Sequence, residues 1–132
     1  MIKVLIVDDH ALVRAGLRVT LAGAAGIEVV GECRDGADVP DAMLSMRPDV
    51  IVMDVRMRRI GGIEATHKLL QRQPSARVLV VSGLTATRVV DDAVAAGAAG
   101  FIVKGVDAAA VVAAVRTIAA GGSVWPESLC TL

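Results

Sequence analysis

The chain has 132 residues, with 14 basic and 14 acidic side chains that cancel to a formal net charge of zero. That length suits about one domain, and the zero balance gives no support for a nucleic-acid-binding face, which needs a basic excess. Hydrophobic residues make up 55% of the chain and aromatic ones only 2%, so the core must be built from Val, Ile, Leu, Ala and Met. No apolar stretch approaches the roughly 18 residues of a membrane-spanning helix. Met1-Ile2-Lys3 runs straight into a strand pattern instead of a signal peptide. A cytoplasmic protein with no membrane association is expected. Cys33 and Cys130 form neither CxxC nor metal-finger spacing, so two reduced thiols are expected.

Strand and helix signals alternate along the chain. The first strand is predicted near 2–8, where Val4-Leu5-Ile6-Val7 leads into Asp8-Asp9, and a helix near 11–24 follows, with Leu12, Val13, Leu17 and Leu21 as its apolar stripe. A second strand near 27–32 precedes a helix near 38–47. Pro40 is tolerable there only in the first turn, where its missing N–H is not needed. The third strand, near 49–54, ends in Asp54. Its helix, near 62–72, carries Ile63, Thr66, Leu69 and Leu70 and is stopped by Pro74. The fourth strand, near 77–82, ends in Ser82, and its helix, near 85–96, is stopped by Gly97. The fifth strand, near 99–103, runs into Lys104. A last helix near 107–120 has Asp107 as N-cap and ends at Gly121-Gly122.

Continuous apolar runs of four or five residues suit strands covered on both faces, as in a parallel sheet flanked by helices. Five βα units make a doubly wound α/β sheet, since a barrel needs eight units and roughly 250 residues. One order in this class, 2-1-3-4-5, puts the first and third strands at the switch point, where such sheets keep their sites. Parallel strands also bring their polar ends to one edge: Asp8, Asp9, Asp54, Ser82 and Lys104 should meet there.

Three neighbouring carboxylates raise one another's pKa unless a cation is present. Lys104 is one source of positive charge and a metal is another. Oxygen ligands favour a hard ion, and Mg²⁺ is typically held by one or two carboxylates, waters and a phosphate oxygen. Asp54 facing such an ion could act as a nucleophile toward phosphorus. Lys104, as a compact point charge, and Ser82, as a hydroxyl donor and acceptor, suit the oxygens of a transferring phosphoryl group. No GxxxxGK[ST] loop is present, and no GxGxxG follows the first strand.

The ordered set Val7-Asp8-Asp9-His10, Met53-Asp54-Val55-Arg56-Met57, Gly62-Ile63-Glu64-Ala65, Val81-Ser82 and the stretch Ala96 to Lys104 resembles the response-regulator receiver family, over residues 2–120. The resemblance implies a flavodoxin-like (βα)5 fold in which Asp54 receives phosphate from a sensor histidine kinase. It implies that Asp8, Asp9, Asp54 and the backbone carbonyl of Arg56 bind Mg²⁺, that Lys104 and Ser82 contact the phosphoryl group, and that Ser82 and Phe101 form a switch pair. The run from Asp8 to Leu17 is similar to the NarL/LuxR-type branch, whose members usually carry a C-terminal helix-turn-helix. On this reading residues 1–121 are the receiver domain and 122–132 a tail or the start of a linker. Any DNA contact would need an output domain absent from this chain. Homodimerisation on phosphorylation is expected, with Val111, Val112, Val115 and Ile118 of the last helix as apolar surface for it.

Two positions depart from the family pattern. Proline usually stands four residues after the phosphoacceptor; here it is Arg58, which should loosen the loop. Many relatives have a cis proline after the lysine, where this chain has Gly105. A cis bond to glycine would cost about 2.5–4 kcal/mol, so a trans bond or a strained turn is expected. His10 is expected on the solvent side of its turn. Phe101 is open to a simpler reading as core, and Arg56 and Leu84 flank the site.

The rival from another class is a small Mg²⁺-dependent phosphatase with an aspartyl nucleophile. Haloacid-dehalogenase-like enzymes want Asp-x-Asp after the first strand, whereas this strand ends Asp8-Asp9-His10. A flavodoxin-like cofactor binder shares the fold, but the carboxylates would repel a flavin phosphate. A stand-alone phosphorelay protein, or a scaffold that has lost phosphorylation, completes the alternatives.

Overall fold

The computed structural model describes residues 1–83 and 87–126. Leu84, Cys130 and the predicted start of the fourth helix lie outside these residues. Five strands, β1 (Ile2–Val7), β2 (Ile27–Cys33), β3 (Val50–Asp54), β4 (Val78–Ser82) and β5 (Gly100–Val103), alternate with helices α1 (Ala11–Ala22), α2 (Val39–Met46), α3 (Gly62–Arg72), α4 (Thr87–Ala96) and α5 (Ala108–Ala119). All strand pairs are parallel, in the order β2-β1-β3-β4-β5. The chain reverses direction across the sheet between β1 and β3, and those are the strands that lead into Asp8 and Asp54. No helix among the described residues is long and apolar enough to cross a membrane.

The period-2 geometry of a strand splits each apolar run between two layers. Leu5, Val7, Ile51, Met53, Val78, Val80 and Phe101 face α2, α3 and α4. Val4, Ile6, Val50, Val52, Leu79, Val81 and Ile102 face the layer of α1 and α5. Each fully buried Val, Leu or Ile contributes about 1.5–3 kcal/mol, so both layers hold the strand ends in fixed register.

Local signals act where the sequence puts them. Pro40 lies in the first turn of α2, which begins after a 3₁₀ turn at Gly36–Asp38. The Asp107 side chain accepts the Ala110 N–H at 2.8 Å and caps α5. No cis peptide bond occurs among the described residues, and the turn after Lys104 is made by Gly105 at φ +95°.

Two expectations need correction. Leu12 is not part of the core: it is 87% exposed. The buried side of α1 runs through Val13, Leu17 and Leu21, and Leu12 sits one residue, about 100°, off that line. The valines of α5 are not a free surface either. Val111, Val115 and Ile118 are buried against the sheet, leaving Val112 only partly exposed. After Gly121-Gly122 the chain returns to the edge of the sheet. Val124 bridges Gly100 in parallel, its carbonyl accepts the Phe101 N–H at 2.8 Å, and Trp125 packs against the core layer that contains Phe101.

Candidate functional site

The loop after β1 supplies the first carboxylates. Asp8 stays in the sheet's hydrogen bonding, its N–H donating to the Cys33 carbonyl at 3.1 Å. Its side chain turns back and accepts the His10 N–H at 2.9 Å. From α1, Arg14 donates to the Asp8 carbonyl at 2.7 Å and to Glu32 at 3.2 Å, while Arg18 donates to the same Glu32 at 2.7 Å. A half-buried guanidinium thus ties helix, strand and acidic loop together, and its rigid fork suits that double contact.

Asp54 closes β3 and is buried. The next helix begins hard against it: a Cβ on Gly62 would run into the Asp54 carbonyl, so only glycine fits. The Gly62 N–H donates to the Val55 carbonyl at 2.8 Å and closes the intervening loop. Ser82 ends β4, buried. Its carbonyl accepts the Lys104 N–H at 2.8 Å, which fixes Lys104 beyond the end of β5.

From there the Lys104 ammonium reaches 2.9 Å from Asp54 Oδ1 and 3.4 Å from Asp8 Oδ2. Ligand atoms of Asp8, Asp9, His10 and Asp54 all lie within 4.8 Å of one another. Two buried oxygens of this group, Asp9 Oδ1 and Asp54 Oδ2, have no hydrogen-bond partner. Asp9 Oδ1 is 2.9 Å from His10 Nδ1, an ion-pair distance without hydrogen-bond alignment. Buried carboxylate oxygens left bare are costly, and a cation is the natural remedy. The group can hold a metal ion, and its carboxylate oxygens suit a hard one.

The charges balance unevenly. Burial raises the pKa of Asp54, and the neighbouring Asp8 charge adds to that; the Lys104 hydrogen bond and charge oppose it without cancelling it. For Lys104, burial disfavours the ammonium, but the Asp54 hydrogen bond and charge and the Asp8 charge outweigh it, and its pKa rises. The ammonium is therefore firmly charged, while one cation is too few for the carboxylates around it.

A cavity of about 280 Å³ opens onto this group, lined by His10, Asp54, Val55, Arg56, Ser82, Gly83 and Lys104. It has room for several groups the size of a water molecule, whose share of liquid is roughly 30 Å³. Of the residues singled out in the sequence, Asp8, Asp9, Asp54 and Lys104 come together directly, and Ser82 and Arg56 share the opening. Phe101 does not line it: at 1% exposure it is a core residue on the neighbouring strand. His10 is on the solvent side, as expected, but its ring also touches both Asp8 and Asp9. Arg14 and Asp35 went unnoticed in the sequence. Arg14 carried no usable signal, whereas Asp35 before Gly36 has the composition of a side-chain-stabilised turn.

Comparison with known proteins agrees with this geometry. Residues 4–116 match the response regulator receiver domain. The chain is 45% identical over 121 residues to the response regulator GacA of Pseudomonas aeruginosa, covering 92% of this chain and 56% of that protein. It is 39% identical over 124 residues to the DNA-binding transcriptional activator DevR/DosR of Mycobacterium tuberculosis, covering 94% and 57%. It therefore spans about half the length of these curated relatives. A two-component response regulator of the LuxR family from Aurantimonas sp. SI85-9A1 superposes with a TM-score of 0.91 at 32% identity, over 98% of this chain and 92% of that one. The chain belongs to the response regulator receiver domain family of two-component systems, in its NarL/LuxR-type branch.

Proposed function

We propose that Asp54 accepts a phosphoryl group from a sensor histidine kinase in a Mg²⁺-dependent reaction. Asp8, Asp9, Asp54 and the Arg56 carbonyl would hold the ion. Bound there, Mg²⁺ would offset the charge of the carboxylates and of the incoming phosphoryl oxygens. The observation that carries the reading is the bare Oδ2 of Asp54, buried beside Lys104 at the floor of an open cavity. An oxygen of Asp54 attacks phosphorus, the P–N bond of the donor phosphohistidine breaks, and the imidazole leaves with the electron pair and takes up a proton. Lys104 neutralises a phosphoryl oxygen as a point charge, and Ser82 offers its hydroxyl to another.

Phosphorylation adds charge at Asp54, at the end of β3 beside β4, and the Ser82–Phe101 pair reads it. Ser82 moves toward the phosphoryl oxygen and Phe101 turns into the space it leaves, a local charge event biasing a two-state element. Residues 1–121 act as this receiver in the cytoplasm, with 122–132 as tail or linker. It associates as a homodimer when phosphorylated, and any contact with DNA runs through an output domain and not through the receiver fold itself. It turns over no independent substrate.

Incubation with acetyl phosphate and Mg²⁺ tests the assignment. The intact mass should rise by one phosphoryl group, and Asp54→Ala should abolish the gain. Undiminished labelling of that variant refutes the reading.

A further inference from the structure

We propose that Asp35, on the segment after β2, is a positioning residue for metal binding: its carboxylate fixes the β3–α3 loop and with it the backbone of Arg56. The proposal rests on the reading of the Arg56 carbonyl as a ligand.

Asp35 is buried, yet it stands outside the acidic group. Its Oδ1 accepts the N–H groups of Ala37 and Ile60, each at 2.9 Å, and its Oδ2 accepts that of Arg59 at 2.8 Å. The Gly36 N–H donates to the Ile60 carbonyl at 3.2 Å. A Cβ on Gly36 would lie 2.6 Å from that carbonyl oxygen and 2.8 Å from the Ala65 Cβ, so the two segments are in direct backbone contact.

The bond to Ala37 alone would cap the 3₁₀ turn at Gly36–Asp38. The bonds to Arg59 and Ile60 do something else: they pin a loop far along the chain. That loop is tied at one end by β3 and closed by the Gly62–Val55 bond. Asp35 holds its far side, and Arg56 lies between the fixed points. Backbone N–H groups donating to an ionised carboxylate make strong, short bonds. They hold the Asp35 carboxyl below the usual carboxylate range, against the upward push of burial.

Arg58 stands in this loop where the receiver family usually has proline. A proline restricts a loop through its own φ; here the restraint comes from outside, through a carboxylate on the neighbouring segment. Groups that orient a metal ligand typically change affinity by about 10–100-fold when removed.

The test uses the full chain in four forms: unsubstituted, Asp35→Ala, Asp35→Asn, and Asp35→Ala combined with Arg58→Pro. Mg²⁺ affinity is measured by calorimetry, alongside a thermal melt in chelator. Asp35→Ala should melt cooperatively but bind Mg²⁺ on the order of tenfold more weakly. Asp35→Asn should recover much of the affinity, since its amide oxygen can still take the Ala37 and Ile60 N–H groups. Arg58→Pro should restore part of what Asp35→Ala loses, which a purely structural role for Asp35 does not predict. Unchanged Mg²⁺ affinity in a folded Asp35→Ala chain overturns the proposal. Should that variant not fold, Asp35→Asn decides. Faster hydrogen exchange at the Arg59 amide with weaker Mg²⁺ binding supports the proposal, and faster exchange with unchanged binding overturns it. A failure of the unsubstituted chain to bind Mg²⁺ would sink the reading of the acidic group and the proposal together; equal binding by both chains sinks the proposal alone.

Discussion

Lys104 reaches Asp54 from across β4, its ammonium 2.9 Å from Oδ1 of the carboxylate that ends β3. The pair is held from both ends, because Asp54 belongs to the sheet and the Lys104 N–H is bonded to the Ser82 carbonyl. Lys104 also lies 3.4 Å from Asp8, so one cation serves two buried carboxylates that would otherwise repel each other.

Replacing Lys104 by Ala removes that cation. Hydrogen bonds to charged groups contribute about 1.5–3 kcal/mol, and a loss of that order is expected in chelator. Added Mg²⁺ should narrow the gap, because the acidic group remains intact. The variant should bind Mg²⁺ and yet fail to change conformation with beryllofluoride. Urea unfolding with and without Mg²⁺, followed by spectra with beryllofluoride, checks both parts; a normal response would contradict the role given to Lys104.

The Asp35 carboxylate supplies a pH dependence of definite sign. Burial pushes its pKa up, but the N–H groups of Ala37, Arg59 and Ile60 and the Arg59 charge push it down further. Its folded pKa is thus below its unfolded one, so the unfolded chain takes the proton first as pH falls. The stabilisation is complete above the ordinary carboxylate range and drains away as pH drops through the folded value. The stability gap between the unsubstituted chain and Asp35→Asn should therefore be constant near neutrality and shrink in acid. A gap that widens in acid would contradict this.

Cys33 is buried, and burial, helped by the charge of Asp38, pushes its thiol up to about 11. The thiolate is the reactive form, so Cys33 should resist iodoacetamide at neutral pH in the native protein and react once denaturant is added. Peptide mapping separates it from Cys130. Rapid native labelling at Cys33 would show that this part of β2 opens easily.

Trp125 is the only tryptophan, and it packs on the layer that contains Phe101 while its neighbour Val124 accepts the Phe101 N–H. If Phe101 turns on phosphorylation, this contact must adjust. Beryllofluoride with Mg²⁺ should change the Trp125 emission in the unsubstituted chain, and Phe101→Leu should blunt the change. An emission unaltered by beryllofluoride would separate the tail from the switch.

The strand ends were legible because parallel strands need no side-chain detail to align them: Asp8, Asp54, Ser82 and Lys104 each close an apolar run. Leu12 was misread because helical spacing identifies a stripe but not which edge of it meets the sheet. The α5 valines were misread for a related reason, since an Ala-rich helix presents few polar residues to mark its outer side. Asp35 and Arg14 act through backbone carbonyls and N–H groups brought close only by the fold, from Ile60 in one case and Asp8 in the other. The docking of Val124 on β5 was equally hidden: it depends on the absence of a side chain at Gly100, where a Cβ would lie 2.8 Å from the Val124 carbonyl oxygen.

The proposed phosphorylation puts the phosphoryl group on Asp54 and on no other carboxylate of the acidic group. Trapping the acyl phosphate with borohydride after acetyl phosphate treatment, then sequencing the peptides, tests it most directly. Position 54 alone should be converted to homoserine, and only when Mg²⁺ is present. Conversion at Asp8 or Asp9 instead, or at position 54 with equal yield in chelator, would contradict it.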